Sequence, residues 1–76
     1  MTPAQLRALL WLPEDGEWTT APRDITAAIK SLELYHRDLV VSDWGWSCGR
    51  SPLGRLHYKL TAAGIAEQAR RKRTAQ

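Results

Sequence analysis

One cysteine and no phenylalanine occur among the 76 residues. A lone thiol, Cys48, has no intrachain partner, so no disulfide staples the fold. The first residues also lack the basic segment and apolar run of a secretory leader, and the two absences together lead us to expect a reducing, cytoplasmic setting. No apolar run approaches the roughly 18 residues needed to cross a bilayer, which predicts no membrane-spanning role. Nothing repeats at solenoid periods. Neither CxxC nor HxxxH spacing joins Cys48, His36 or His57 into a metal site. Glu14, Asp15 and Glu17 cluster in a stretch that reads as a turn, where acidic residues need no catalytic reason. We expect neither an enzyme nor a cofactor.

What is present is globular in composition, with 43% apolar and 25% charged residues. Such a chain has enough apolar surface to fold, although a domain this small buries only about 60% of what its unfolded state exposes. The net charge is +3, and four of the eleven basic residues stand together at positions 70–73. The body is therefore nearly neutral. We expect one domain over residues 1–69 and a basic, frayed tail over 70–76.

Thr2, Pro3 and Gln5 form a helix start, with Thr2 as cap, Pro3 at the first helical position and Gln5 closing a capping box. Leu6, Leu9 and Leu10 give the apolar stripe of a helix over Pro3–Trp11, ended by Pro13 and the Glu14-Asp15-Gly16 turn. Residues 17–20 contain Trp18, Thr19 and Thr20 and predict a short strand with Trp18 turned inward. Pro22 opens a helical pattern capped by Thr20 or Ala21, with Asp24 in its first turn. If residues 22–37 are one helix, Ile25, Ala28, Ile29, Leu32, His36 and Leu39 share the core side, and Arg23, Thr26, Lys30, Leu34 and Arg37 share the opposite one. Two short helices with a turn near Lys30 or Ser31 are equally consistent with the pattern, and they turn Leu34 and Tyr35 inward. Asp38 tolerates the left-handed conformation a helix end often needs.

Residues 39–46 read as a strand with Trp44 and Trp46 on one face. A loop rich in glycine and proline follows, with Arg50 at its tip. Residues 55–60 alternate, placing Leu56, Tyr58 and Leu60 on one face and Arg55, His57 and Lys59 on a basic outer face. Thr61 caps a last helix whose apolar stripe is Ala62, Ile65, Ala66 and Ala69. Gly64 inside it costs roughly 1 kcal/mol against alanine, so close packing is expected there.

The order helix, short strand, helical region, strand, loop, strand, helix is that of a winged helix-turn-helix domain. Leu39-Val40 closes the helical region, and Tyr58-Lys59-Leu60-Thr61-Ala62-Ala63-Gly64 resembles the second wing strand and following helix of bacterial regulators of the MarR and PadR kind. The layout covers most of the chain and the motif about ten residues. Three departures stand out: only twenty residues separate Trp18 from Leu39, Ser31 replaces a large apolar residue, and Asp38 replaces the usual glycine. The expected fold class is α+β, a small winged helix-turn-helix with helices packed on a short antiparallel hairpin wing. With no long dimerisation helix, both monomer and homodimer stay open.

The resemblance implies double-stranded DNA as partner and a transcriptional regulator of bacterial or phage type. In such a fold the helical region enters the major groove and the wing reaches phosphates or the minor groove. Candidate contacts are then Arg23, Thr26, Lys30 and Arg37 from the helical region and Arg50, Arg55, His57 and Lys59 from the wing. Arg70 and Arg71 in the tail add salt-dependent affinity without sequence preference. The alternative is a winged-helix protein-interaction module, such as a phage-encoded inhibitor or adaptor, that captures a protein partner through Leu34, Trp44 and Trp46. Without phenylalanine the interior must be filled by other large side chains, and Trp11 and Trp18 are expected in the core, while Trp44 and Trp46 are as consistent with core as with a contact surface.

Overall fold

The computed structural model describes residues 1–45 and 55–74. Among these residues three helices, α1 (Pro3–Trp11), α2 (Arg23–Tyr35) and α3 (Ala62–Thr74), pack with two antiparallel strands, β1 (Val40–Trp44) and β2 (Leu56–Leu60). The chain is thus a small α+β structure in the order α1, α2, β1, β2, α3. Trp46, Cys48, Arg50 and the loop between the strands lie outside the described residues.

Helix α1 starts as its sequence dictates. The Thr2 hydroxyl accepts from the Gln5 amide at 3.1 Å, and the Gln5 side-chain oxygen accepts from the Thr2 amide at 2.9 Å. This reciprocal box satisfies two amides that a helix start leaves open. Gln5 does more than cap, because its amide nitrogen also donates to the Ser31 hydroxyl at 3.0 Å and ties α1 to α2. A polar pair therefore fills the position where the resemblance places a large apolar side chain.

Residues 23–35 are one continuous helix, with Pro22 itself as N-cap and no side-chain cap. The cap falls one or two residues later than Thr20 or Ala21, since the fixed φ of Pro22 already supplies the extended entry. Ile25, Ile29 and Leu32 are buried as the stripe predicts, and Leu34 and Tyr35 point outward at 58% and 71% exposure. Asp38 is not left-handed, because no described residue other than glycine has a positive φ. The helix instead ends through His36 at φ −137° and ψ 63°, whose amide donates to the Leu32 carbonyl.

The core is aliphatic. Ala8, Leu9 and Leu12 of the first helical segment meet Ile25, Ile29 and Leu32, and Leu39, Val40, Tyr58 and Leu60 close the cluster from the sheet side. Burying each large aliphatic chain contributes about 1.5–3 kcal/mol, which makes this seam the main source of stability. Trp11, at 39% exposure, is not part of it, and Trp18 is only half-buried. Small aliphatic residues recurring at helical spacing already fill the space between α1 and α2, so no indole is needed there.

The sheet register pairs Val40 with Leu60 and Trp44 with Leu56. The stretch read as a short strand at 17–20 contributes a single bridge, with Thr19 and Tyr58 exchanging amide-to-carbonyl bonds of 2.9 and 2.8 Å. β2 therefore lies between β1 and Thr19.

The Thr61-Ala62-Ala63-Gly64 stretch has a specific geometry. The Thr61 hydroxyl donates to the Asp38 carbonyl and accepts from the Gly64 amide, while the Thr61 amide donates to the Leu39 carbonyl. A Cβ on Gly64 would stand 2.0 Å from that same Leu39 oxygen. Only glycine fits, as the interior glycine led us to expect. The rest of α3 differs from its apolar stripe: Ala62, Ala66 and Ala69 are exposed, Ile65 is half-buried, and the buried residues are Gly64 and Gln68. The Gln68 amide nitrogen donates to the Leu9 and Leu12 carbonyls at 2.7 Å each, completing the C-terminus of α1. α3 continues through Thr74, so residues 70–74 are helical.

Candidate functional site

Arg23, Lys30 and Arg37 are all exposed and stand seven residues apart; the first two are on the side of α2 turned away from the core, and Arg37 is in the turn that follows the helix. Among the described residues none of the three has an ion-pair partner or a side-chain hydrogen bond. Arg7 and Asp24 are 3.7 Å apart beside the same helix, a pair so exposed that it contributes little. Lys30 and Arg37 open onto a shallow groove of about 550 Å³ between α2 and β1, whose lining also includes Glu33, Leu34, Val41 and Ser42. The groove thus joins the basic row of the helix to the first strand.

The other expected contacts are distributed less favourably. Thr26 is half-buried, and its hydroxyl donates to the Pro22 carbonyl at 2.8 Å, which commits its proton to the helix itself. Arg55 is exposed just before β2. His57 is not on an open basic face: it is 7% exposed, with Nδ1 3.1 Å from the Arg55 carbonyl. Burial on both sides of β2 overrides the alternation that places His57 outward. Lys59 is half-buried and holds its ammonium 4.7 Å from the centre of the Trp18 ring, a cation–π contact that draws it back onto the protein.

Charge near the C-terminus is largely consumed. Glu67 accepts from both Arg70 and Arg71, the latter at 2.8 Å, and Lys72 reaches Glu14 at 3.2 Å. Hydrogen bonds first from Arg70 and then from Arg71 lower the Glu67 carboxyl to a pKa of about 2, and the same contact raises the Arg70 guanidinium above its ordinary value. These cations meet a counter-charge inside the molecule.

Leu34 and Trp44, the latter 46% exposed, are both on the surface. Leu34 lines the groove and Trp44 does not. Trp46 and Arg50 lie outside the described residues. Four lining residues were not anticipated as site residues: Glu33, Val40, Val41 and Ser42. Glu33 follows Lys30 by three and precedes Arg37 by four, a helical spacing that already places it on their face. It also has an inward effect, since burial first and the Glu33 charge second hold the Tyr58 phenol above its ordinary pKa. Val41 and Ser42 have no comparable sequence signal. Among the described residues there is no group of three or more His, Cys, Asp or Glu side chains able to hold a metal ion, and no helix is long and apolar enough to cross a membrane.

No protein-family model, curated protein or solved structure matches the chain.

Proposed function

We propose that this chain binds double-stranded DNA as a compressed winged-helix protein and acts as a transcriptional regulator of bacterial or phage type. α2 is the helix presented to the major groove, and β1 and β2 are the arms of the wing. The observation that carries this is the set Arg23, Lys30 and Arg37, three exposed cations without ion-pair partners among the described residues, of which Lys30 and Arg37 line the groove that α2 shares with β1. The pairing of Thr19 with β2 supports the winged-helix layout, in which the strand before the helical region joins the wing. Only one helix stands between Thr19 and β1, so α2 takes the place of the usual helix-turn-helix pair.

Cations that have not been neutralised within the protein are the ones able to release counterions from the phosphate backbone. Arg55 at the start of β2 supplies a further cation from the wing. The proposal is tested by fluorescence anisotropy with a random duplex and the corresponding single strand, titrated with salt. We expect preference for the duplex and a log–log slope of roughly −0.9 per phosphate neutralised. Absence of duplex binding at low salt overturns the proposal.

One observation favours a second use of the same scaffold, capture of a protein partner: Leu34 and Trp44 are large apolar side chains exposed at 58% and 46%. Under that use Trp44→Ala abolishes capture and leaves any duplex affinity intact, and an unchanged pull-down counts against it.

A further inference from the structure

Leu34 is an apolar side chain set into a basic row. Lys30 precedes it by one turn on the same face of α2, and Arg37 follows it in the turn just past the helix end; both are exposed and, among the described residues, without an ion pair or a side-chain hydrogen bond. A single exposed leucine calls for no explanation in itself. This one is 58% exposed, lies between two cations with the single carboxylate of Glu33 beside it, and opens onto Val41 across the groove. The cations extend beyond it, from Arg23 at the first residue of the helix to Arg37 past its end, and the helical part from Arg23 to Leu34 alone spans about 16 Å at 1.5 Å per residue.

The occupant must therefore offer negative charge along at least about 16 Å and one small apolar contact close to the Arg37 end. A protein partner fits poorly, because the core of a protein interface is a contiguous, charge-depleted apolar patch. On this face of α2 Leu34 is the only large apolar side chain among the described residues. Tyr35 lines a different depression, with Met1, Thr2 and Gln5. Duplex DNA fits better: its phosphates supply the charge, its major groove of about 12 Å admits a helix, and the apolar group on the base edges there is the C5-methyl of thymine.

We propose that Leu34 contacts thymine methyl groups in the major groove, giving the protein a preference for thymine-containing duplex over the same duplex lacking that methyl. This deepens the DNA-binding function above and rests on it. Lys30 and Arg37 seat on phosphates on either side and position the leucine. The contact is apolar, so it contributes nothing to the salt dependence, and affinity and methyl preference are separable quantities.

The test uses the full chain and two probes: an alternating adenine–thymine duplex, and the same duplex with uracil in place of every thymine. Wild type is expected to bind the thymine duplex about four-fold more tightly per contacted methyl, the effect of burying one such group. Leu34→Ala is expected to bind both duplexes equally with an unchanged salt slope. Because Leu34 is mostly exposed, that substitution leaves the core untouched. Equal binding of the two duplexes by wild type, with strong salt dependence, overturns the methyl contact and leaves DNA binding standing. A preference that survives in Leu34→Ala overturns it as well. Failure to bind either duplex at low salt overturns both, and loss of a protein partner in Leu34→Ala with unchanged duplex affinities assigns the leucine to that partner instead.

Discussion

α2 and α3 are both thirteen residues long and both carry cations, yet they are attached to the molecule in opposite ways. α2 is held by apolar burial of Ile25, Ile29 and Leu32, which leaves its outer cations free. α3 is held largely by polar contacts: Thr61 and Gly64 against the Asp38 and Leu39 carbonyls and Gln68 on the end of α1, while the exposed Lys72–Glu14 pair adds little. Its other paired cations, Arg70 and Arg71, share Glu67. On the proposed function, the denser run of positive charge is expected to be the poorer binding surface and the sparser set on α2 the better one. Charge available to a partner is charge without a partner at home.

The contrast can be broken at the polar attachment of α3. Gly64→Ala drives a methyl group into the Leu39 carbonyl, and backbone cannot rotate away as a side chain can. We expect a loss of about 3 kcal/mol, seen as a lowered midpoint in urea denaturation, and a midpoint within error of wild type refutes the close approach. Gln68→Leu keeps the volume and removes the donor from two carbonyls at the end of α1. That costs about 1–3 kcal/mol, the penalty of leaving buried acceptors unmet, and amide exchange should accelerate first in the last turn of α1. No change in exchange there contradicts the capping role.

The smallest effect belongs to the surface pairs. Glu67 has a folded pKa of about 2 against an ordinary value of 4.5, lowered by its bonds to Arg70 and Arg71. Between those values the unfolded chain binds the proton and the folded one does not, so stability falls as pH drops from 4.5 towards 2. Above 4.5 the contribution is fully present. Thermal melts at pH 5 and pH 3 should show this decline in wild type and a shallower one in Glu67→Gln. Because the pair is solvent-exposed, added salt should shrink the difference. An identical decline in both proteins removes Glu67 from the account.

The difference between the two helices also decides how far they were legible in sequence. α1 and α2 announce themselves, α1 by the Thr2-Gln5 capping box and α2 by aliphatic residues recurring at i, i+4 and i+7. Their partners are generic, and hydrophobic periodicity is a direct record of generic burial. α3 hides a glutamine and a glycine where hydropathy points to alanines, because the buried face is set by what it meets: two open carbonyls and one backbone oxygen. Those acceptors are 56 and 59 residues away for Gln68, so no local pattern records them. His57 was misplaced for a related reason. Strand alternation identifies two faces, but it does not say that both are covered. At the candidate site, the shared exposed face of Arg23, Lys30 and Leu34 is legible from the helical wheel, whereas Arg37 falls past the helix end and the groove to Val41 and Ser42 depends on how β1 lies against α2.

Two charge-removal variants measured side by side test the central claim. Arg23→Ala/Lys30→Ala/Arg37→Ala is to be compared with Arg70→Ala/Arg71→Ala for affinity and salt slope on a random duplex. The account predicts that the α2 variant loses most of its affinity and that its slope becomes shallower by up to about one per phosphate contact removed, while the α3 variant stays close to wild type. The reverse order, with the α3 variant impaired and the α2 variant unaffected, would contradict it.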